Sequence, residues 1–168
     1  MLGSAVKPPS NLAVAISSKN SVSLSWIDNS ANETAYRIER STDGSYFYLI
    51  GSGLPANATN YSDTNLVSGT TYYYRVWCSN GTLRSGYSNV ASVTMPAIPA
   101  APSGLTATVL SNSQIKLQWA DNSNNEQYFL VERSTDNVNF SQVVILAATP
   151  PQRTLTRGSQ KRSSITIG

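Results

Sequence analysis

In the stretch VSLSW, Val22, Leu24 and Trp26 stand at alternate positions with serine between them. The same period of two runs through YRIER, where Tyr36 and Ile38 face one way and Arg37 and Glu39 the other. It returns in YYYRVW, where Tyr72, Tyr74 and Val76 alternate with Tyr73, Arg75 and Trp77. An extended chain points successive side chains to opposite faces, so this spacing predicts strands with one buried face. Between the strands lie DNSANE, STDGS and SNGTLRSG, rich in residues that form tight turns. Several short strands separated by turn chemistry predict an antiparallel β-sandwich, its core built from alternate residues of two sheets.

The pattern repeats. LSWIDNSANETAYRIERSTDG at 24–44 returns as LQWADNSNNEQYFLVERSTDN at 117–137, a displacement of 93 residues. At the same displacement Leu12, Trp26, Glu39 and Phe47 find identical partners in Leu105, Trp119, Glu132 and Phe140. A unit of roughly ninety residues is a normal size for a small independent domain.

Both units resemble fibronectin type III domains. In the first, the resemblance rests on Pro9 and Leu12 opening a strand, Trp26 and Tyr36 on the next two, and NLVSGTTYYYRV. In that last segment Leu66, Gly69 and Tyr72 match the family's turn and tyrosine corner, and YSNVASVTM looks like its final strand. WIDNSANETAYRIERS is similar to the bacterial form of the module. That likeness implies an immunoglobulin-like sandwich in a secreted, multidomain carbohydrate-active or surface protein.

The expected layout is an N-terminal extension (1–7), a complete domain (8–95), a Pro/Ala linker (96–101), the N-terminal part of a second domain (102–148) and a basic tail (149–168). The linker's prolines favour an extended, semi-rigid spacer. By the repeat spacing, YSDTNLVSGTTYYYR should be echoed at 154–168, where the sequence reads TLTRGSQKRSSITIG. The later strands of the second sandwich are therefore expected to be missing, and the tail to be disordered or frameshift-derived. A synonymous back-translation, read in a neighbouring frame, gives YTDTGLTEAVKYYYR, which agrees with the first unit at eight of fifteen positions. The second unit is expected not to fold alone, because half a core and open edges remain.

Composition narrows the chemistry. The chain has 168 residues, one cysteine, no histidine and only 12% charged residues. The lone Cys78 excludes an internal disulfide framework, and without histidine the commonest general base and metal ligand are missing. The formal charge of +3 belongs to the tail: residues 1–95 carry six Lys/Arg and five Asp/Glu, 96–148 two and four, and 149–168 four and none. The tail has no aromatic residue for base stacking, which speaks against a nucleic-acid arm. No apolar run is long enough to span a bilayer, and MLGSAVKPP lacks the apolar stretch of a signal peptide.

Few residues offer a site. DNSANE and DNSNNE hold two carboxylates each, but they lack the acidic spacing and glycine of a calcium loop, and a turn built by Asp28 and Asn29 is the simpler account. Asp28 and Glu33 as a glycosidase pair would need a cleft that a turn between strands does not supply. Cys78 points inward by alternation, as a structural thiol. SNGTLRSGYSN looks like the loop that some animal members use to bind integrins, but it contains no Arg-Gly-Asp. Tyr73, Arg75 and Trp77 share the outward side of one strand, with Arg37 and Glu39 expected across from them. Two readings stand. One is an ordinary cross-strand cluster with arginine stacked on rings, favoured because Leu130 replaces Arg37 in the second unit. The other is a ligand-binding face of Arg37, Tyr73, Arg75 and Trp77.

The expectation is thus a non-catalytic spacer or interaction module, without cofactor or metal, in a larger extracellular or cell-surface protein. Its partners would be neighbouring domains. The alternative is a glycan- or protein-binding module, taking a polysaccharide or a surface protein on that face. Neither nucleic acid nor a membrane span is implied.

Overall fold

A computed structural model describes residues 5–148, 154–158 and 164–167, the last two segments as backbone only. It divides the chain into two compact units, Met1–Ala97 and Ile98–Gly168.

In the first unit the alternating segments become strands: β1 (Ser10–Ser18), β2 (Ser21–Ile27), β3 (Ala35–Ser41), β4 (Tyr48–Pro55), β5 (Asn60–Asp63), β6 (Thr71–Ser79) and β7 (Ala91–Thr94). They form two antiparallel sheets, ordered β1-β2-β5 and β4-β3-β6-β7. Val22, Leu24 and Trp26 from one sheet meet Tyr36, Ile38, Tyr72, Tyr74 and Val76 from the other in one buried cluster. The period of two chose these faces, since each inward residue is followed by a more exposed one along β2 and β6. Leu66, Val6 and Met95 close the ends of the core.

Three polar devices hold the loops. Tyr72 reaches back to accept the Val67 N–H at 3.0 Å, which is the tyrosine corner expected from NLVSGTTYYYRV, and Gly69 takes the φ of 72° that the turn requires. Asp63 accepts from Arg40 at 2.8 Å and from the buried Tyr74 hydroxyl at 2.9 Å, tying short β5 to the opposite sheet. Asp43 accepts the Ser45 and Tyr46 N–H groups at 2.8 and 2.9 Å, while the Ser41 hydroxyl takes those of Asp43 and Gly44. The second unit repeats this turn with Ser134 and Asp136, so the STD sequence is a turn signature.

That turn gives the fold an acid limit. The N–H donors of Tyr46 and Ser45 hold the Asp43 carboxyl below the ordinary aspartate range, and those around Asp136, led by Asn139, do the same there. A depressed folded-state pKa contributes stability above the ordinary value and loses it as pH falls toward the folded value. Thermal stability should therefore fall from about pH 5 to pH 2. Asp43→Asn should lower the midpoint at neutral pH and flatten that acid slope, as read by circular dichroism across the range.

The second unit begins in the same way, with β8 (Ser103–Ser111), β9 (Gln114–Ala120), β10 (Tyr128–Ser134) and β11 (Ser141–Ala147). Leu117, Trp119, Phe129 and Val131 form its buried cluster among the residues with described side chains. The expected absence of later strands does not hold in full. Thr154–Gly158 forms β12 on β9, and Ser164–Ile167 forms β13 on β10, the places of β5 and β6 in the first unit. Two local causes account for them: Thr154–Gly158 carries two Thr and Ser164–Ile167 carries Thr and two Ile, residues that favour strands, and the edges of β9 and β10 present unpaired backbone groups.

The pairing is not a copy of the first unit. Leu24 pairs with Tyr61, which the repeat spacing would echo as Leu117 with Thr154, yet Leu117 pairs with Leu155. Ile38 pairs with Val76, whereas Val131 pairs with Ile167, two residues short of the repeat position. No counterpart of β7 occurs among the described residues.

Candidate ligand-binding face

The outward side of β3 and β6 in the first unit carries the expected residues. Backbone register sets Arg37 opposite Trp77, Glu39 opposite Arg75, and Ser41 opposite Tyr73. Arg75 donates from Nε to Glu39 Oε2 at 2.8 Å and closes the ion pair through Nη2 at 2.7 Å. Trp77 Nε1–H donates to the other carboxylate oxygen at 2.9 Å, and the Tyr87 hydroxyl approaches the same oxygen at 3.5 Å. One carboxylate thus gathers three donor side chains.

Around it runs a ladder of alternating guanidiniums and rings. Arg75 Cζ lies 4.2 Å from the Phe47 ring centroid and 3.7 Å from that of Tyr87. Arg84 Cζ is 4.5 Å from the Tyr87 ring and 4.0 Å from that of Trp77, and Arg37 approaches Trp77 at 5.6 Å. Contacts of this kind at exposed sites are worth about 0.5–1 kcal/mol each. The stacking restricts side chains that would otherwise rotate freely.

Of the four residues anticipated as a face, the structure unites Arg37, Arg75 and Trp77. Tyr73 stands apart, its ring beside Gly44, where an added Cβ would lie 3.6 Å away. It covers the β3–β4 turn and makes no described contact with the ladder. Phe47, Arg84 and Tyr87 complete the set and were missed. Arg84 and Tyr87 come from the β6–β7 loop, which folds back as Asn80 Oδ1 caps the Thr82 and Leu83 N–H groups and Ser85 N–H reaches Cys78 O at 2.9 Å. The only trace in the sequence was the Asn-Gly turn signal followed by basic and aromatic residues.

The remaining candidates are structural. Asp28 accepts the Ser30 N–H at 2.9 Å, and Asn29 Nδ2 donates to Pro8 O at 2.9 Å, tying the DNSANE turn to the incoming chain. Glu33, almost buried, takes the Asn57 N–H at 3.0 Å. Cys78 is fully buried, its thiol directed at Lys7 O at 3.2 Å, and burial raises its pKa, which opposes nucleophilic use. Among the described residues no group of His, Cys, Asp and Glu is arranged to hold a metal ion, and no helix is long and apolar enough to cross a membrane.

Known proteins place this sandwich. The chain is 43% identical over 74 residues to a poly(3-hydroxybutyrate) depolymerase from Ralstonia pickettii, a match covering 44% of this chain and 13% of that protein. The chain therefore spans a small fraction of its curated relative. A β-1,2-glucanase from Parabacteroides distasonis matches 56% of the chain at 25% identity and a TM-score of 0.50, over 13% of its own length. The chicken CNTN1 FN1–FN3 domains match 98% of the chain at 15% identity and a TM-score of 0.51, covering 56% of that structure, a likeness of fold alone. The model of the fibronectin type III domain matches residues 7–94. With its alternating strands, its tyrosine corner and that match, the chain belongs to the fibronectin type III domain family.

Proposed function

We propose that this chain is a non-catalytic spacer and interaction module of a larger extracellular or cell-surface protein. The observation that carries the reading is where the chain enters and leaves the first unit. On arrival, Lys7 O accepts from Cys78 near the end of β6, and on departure Met95 N–H donates to Thr70 O, just before β6 begins. At about 3.3 Å per strand residue these points lie roughly 25 Å apart at opposite poles. A unit traversed from pole to pole adds fixed length between its neighbours. The match to a small part of a depolymerase supports a multidomain setting.

Spin labels at Lys7→Cys and Ala97→Cys, with buried Cys78 unlabelled, test this in the full chain. One narrow distance distribution centred near roughly 25–35 Å is expected, and a broad or short one would remove the spacer role. Hydrolysis of poly(3-hydroxybutyrate) or β-1,2-glucan by the purified chain would overturn the non-catalytic part. A frameshift origin for the tail belongs to the same reading. With the shift placed between about Ala148 and Arg153, coding DNA from the end of the Arg153 codon through codon 168 should encode Tyr-Thr-Asp-Thr-Gly-Leu and then Tyr-Tyr-Tyr-Arg in a neighbouring frame.

A second reading, binding through the outward β3–β6 face, is favoured by one specific observation. Arg84 and Arg37 flank Trp77, and neither meets a carboxylate among the described residues.

A further inference from the structure

We infer that the outward β3–β6 face of the first unit binds a carboxylate-bearing polysaccharide, with Arg84 and Arg37 gripping its acidic sugars. The inference rests on the second reading above and names its ligand class. Three guanidiniums, of Arg37, Arg75 and Arg84, share this face with a single carboxylate, that of Glu39. The surplus is cationic and selects an anion.

Glu39 shows which anion these donors suit. Its Oε2 takes both Nε and Nη2 of Arg75 and its Oε1 takes the indole N–H of Trp77, so a guanidinium edge and an indole N–H together hold one carboxylate. Arg84 and Arg37 repeat the guanidinium half of that arrangement around the same indole without an acid of their own. Arg84 lies over the Trp77 and Tyr87 rings, and Arg37 lies beside Trp77 with its Nη1 on Tyr36 O at 3.3 Å, and this anchoring lowers the ordering cost of gripping a ligand with the remaining N–H groups.

The form of the face argues for a polymer of sugars. Each guanidinium shares a ring with the next, so Arg75, Arg84 and Arg37 form one connected series through Tyr87 and Trp77. A chain with an acid on each sugar can meet several of them at once, where a lone carboxylate meets one. Tyr87, 39% exposed, offers an aromatic surface beside the cations for the apolar side of a sugar ring. In the second unit Leu130 takes the place of Arg37, so the function is assigned to the first unit alone.

The test uses the full chain with three probes: polygalacturonate, neutral dextran and poly-L-glutamate, by affinity electrophoresis and by the Trp77 indole N–H resonance. Because residues 149–168 carry four basic residues, a second protein with Arg153, Arg157, Lys161 and Arg162 changed to glutamine separates tail from face. Polygalacturonate should bind at about 50 mM salt, weaken as salt screens the charges, move the indole resonance and survive tail neutralisation. Arg84→Glu, at an exposed site, should weaken it about tenfold or more with an unchanged thermal midpoint. If that variant unfolds, Arg37→Gln serves in its place. Dextran should not bind.

Equal binding of poly-L-glutamate, lost on Arg84→Glu, would overturn the polysaccharide class and keep the second reading. Binding lost only on tail neutralisation, or absent for every probe, would overturn both and leave the spacer role standing.

Discussion

Asp63→Ala is expected to lower the unfolding free energy of the first unit by about 3 kcal/mol. The side chain is 9% exposed and one oxygen, Oδ2, serves both Arg40 and Tyr74. Removing it leaves the Tyr74 hydroxyl, in a fully buried side chain, without its acceptor, and leaves Arg40 without its counter-ion. The loss stays near the lower end of the range for broken buried pairs. The Arg40 side chain is 19% exposed, bonds the Tyr48 hydroxyl and stacks near the Tyr48 and Tyr72 rings, so water and those partners retain part of its stabilisation. Tyr74→Phe removes only the hydroxyl and should cost about 1 kcal/mol. Urea denaturation of both variants orders the two effects, and a loss for Asp63→Ala no larger than that for Tyr74→Phe would mean that the ion pair adds nothing measurable. The same pair sets an alkaline limit. Burial, with the Asp63 carboxylate beside it, raises the Tyr74 pKa, so its contribution is complete below the ordinary tyrosine value and is lost above it.

The isolated second unit, Ile98–Gly168, is expected to show no cooperative unfolding transition, whereas Met1–Ala97 unfolds in one step. Thirteen residues make the buried cluster of the first unit, against four in the second among residues with described side chains. Val109, Tyr128 and Ile145 stand more than half exposed in the second. A cleft opens between Pro99–Pro102 and Asn125–Phe129, and Pro99 stands at the repeat position of buried Val6. Thr156 occupies the repeat position of Asp63, so that cross-sheet carboxylate has no counterpart. A small domain that removes this little apolar surface from water does not offset its chain entropy. Calorimetry of the two fragments decides it, and a heat-absorption peak from Ile98–Gly168 would show that β12 and β13 complete the core.

Much of this molecule was legible in one dimension. The sandwich class, the inward set from Val22 to Val76 and the outward placing of Arg37, Glu39, Arg75 and Trp77 follow from a period of two, a local property of any extended chain, whereas the register that sets Arg37 opposite Trp77 does not. Leu66, Gly69 and Tyr72 were recognisable because a tyrosine corner spans only a few residues. The strands in the tail were harder. Their sequence echo is absent, and what orders them is the open edges of β9 and β10, distant along the chain.

The candidate face divides in the same way. Its strand residues were settled by alternation, which each residue obeys whatever lies across the sheet. The loop partners Arg84 and Tyr87, and Phe47 from the β3–β4 connection, have no period to announce them. The place of Arg84 and Tyr87 against Arg75 and Trp77 depends on how the β6–β7 loop folds back through the Ser85–Cys78 and Asn80–Leu83 backbone bonds, and that of Phe47 on the β3–β4 turn. Even Tyr73, correctly assigned outward, parts from its neighbours because the turn at Gly44 brings its ring a different partner. In the first unit the sequence alone determined where the alternating strands lie and which way their side chains point, because the backbone's two-residue alternation acts residue by residue. Which outward side chains touch was decided only by the tertiary structure, because turns and loops distant in the chain must first be brought onto the sheet.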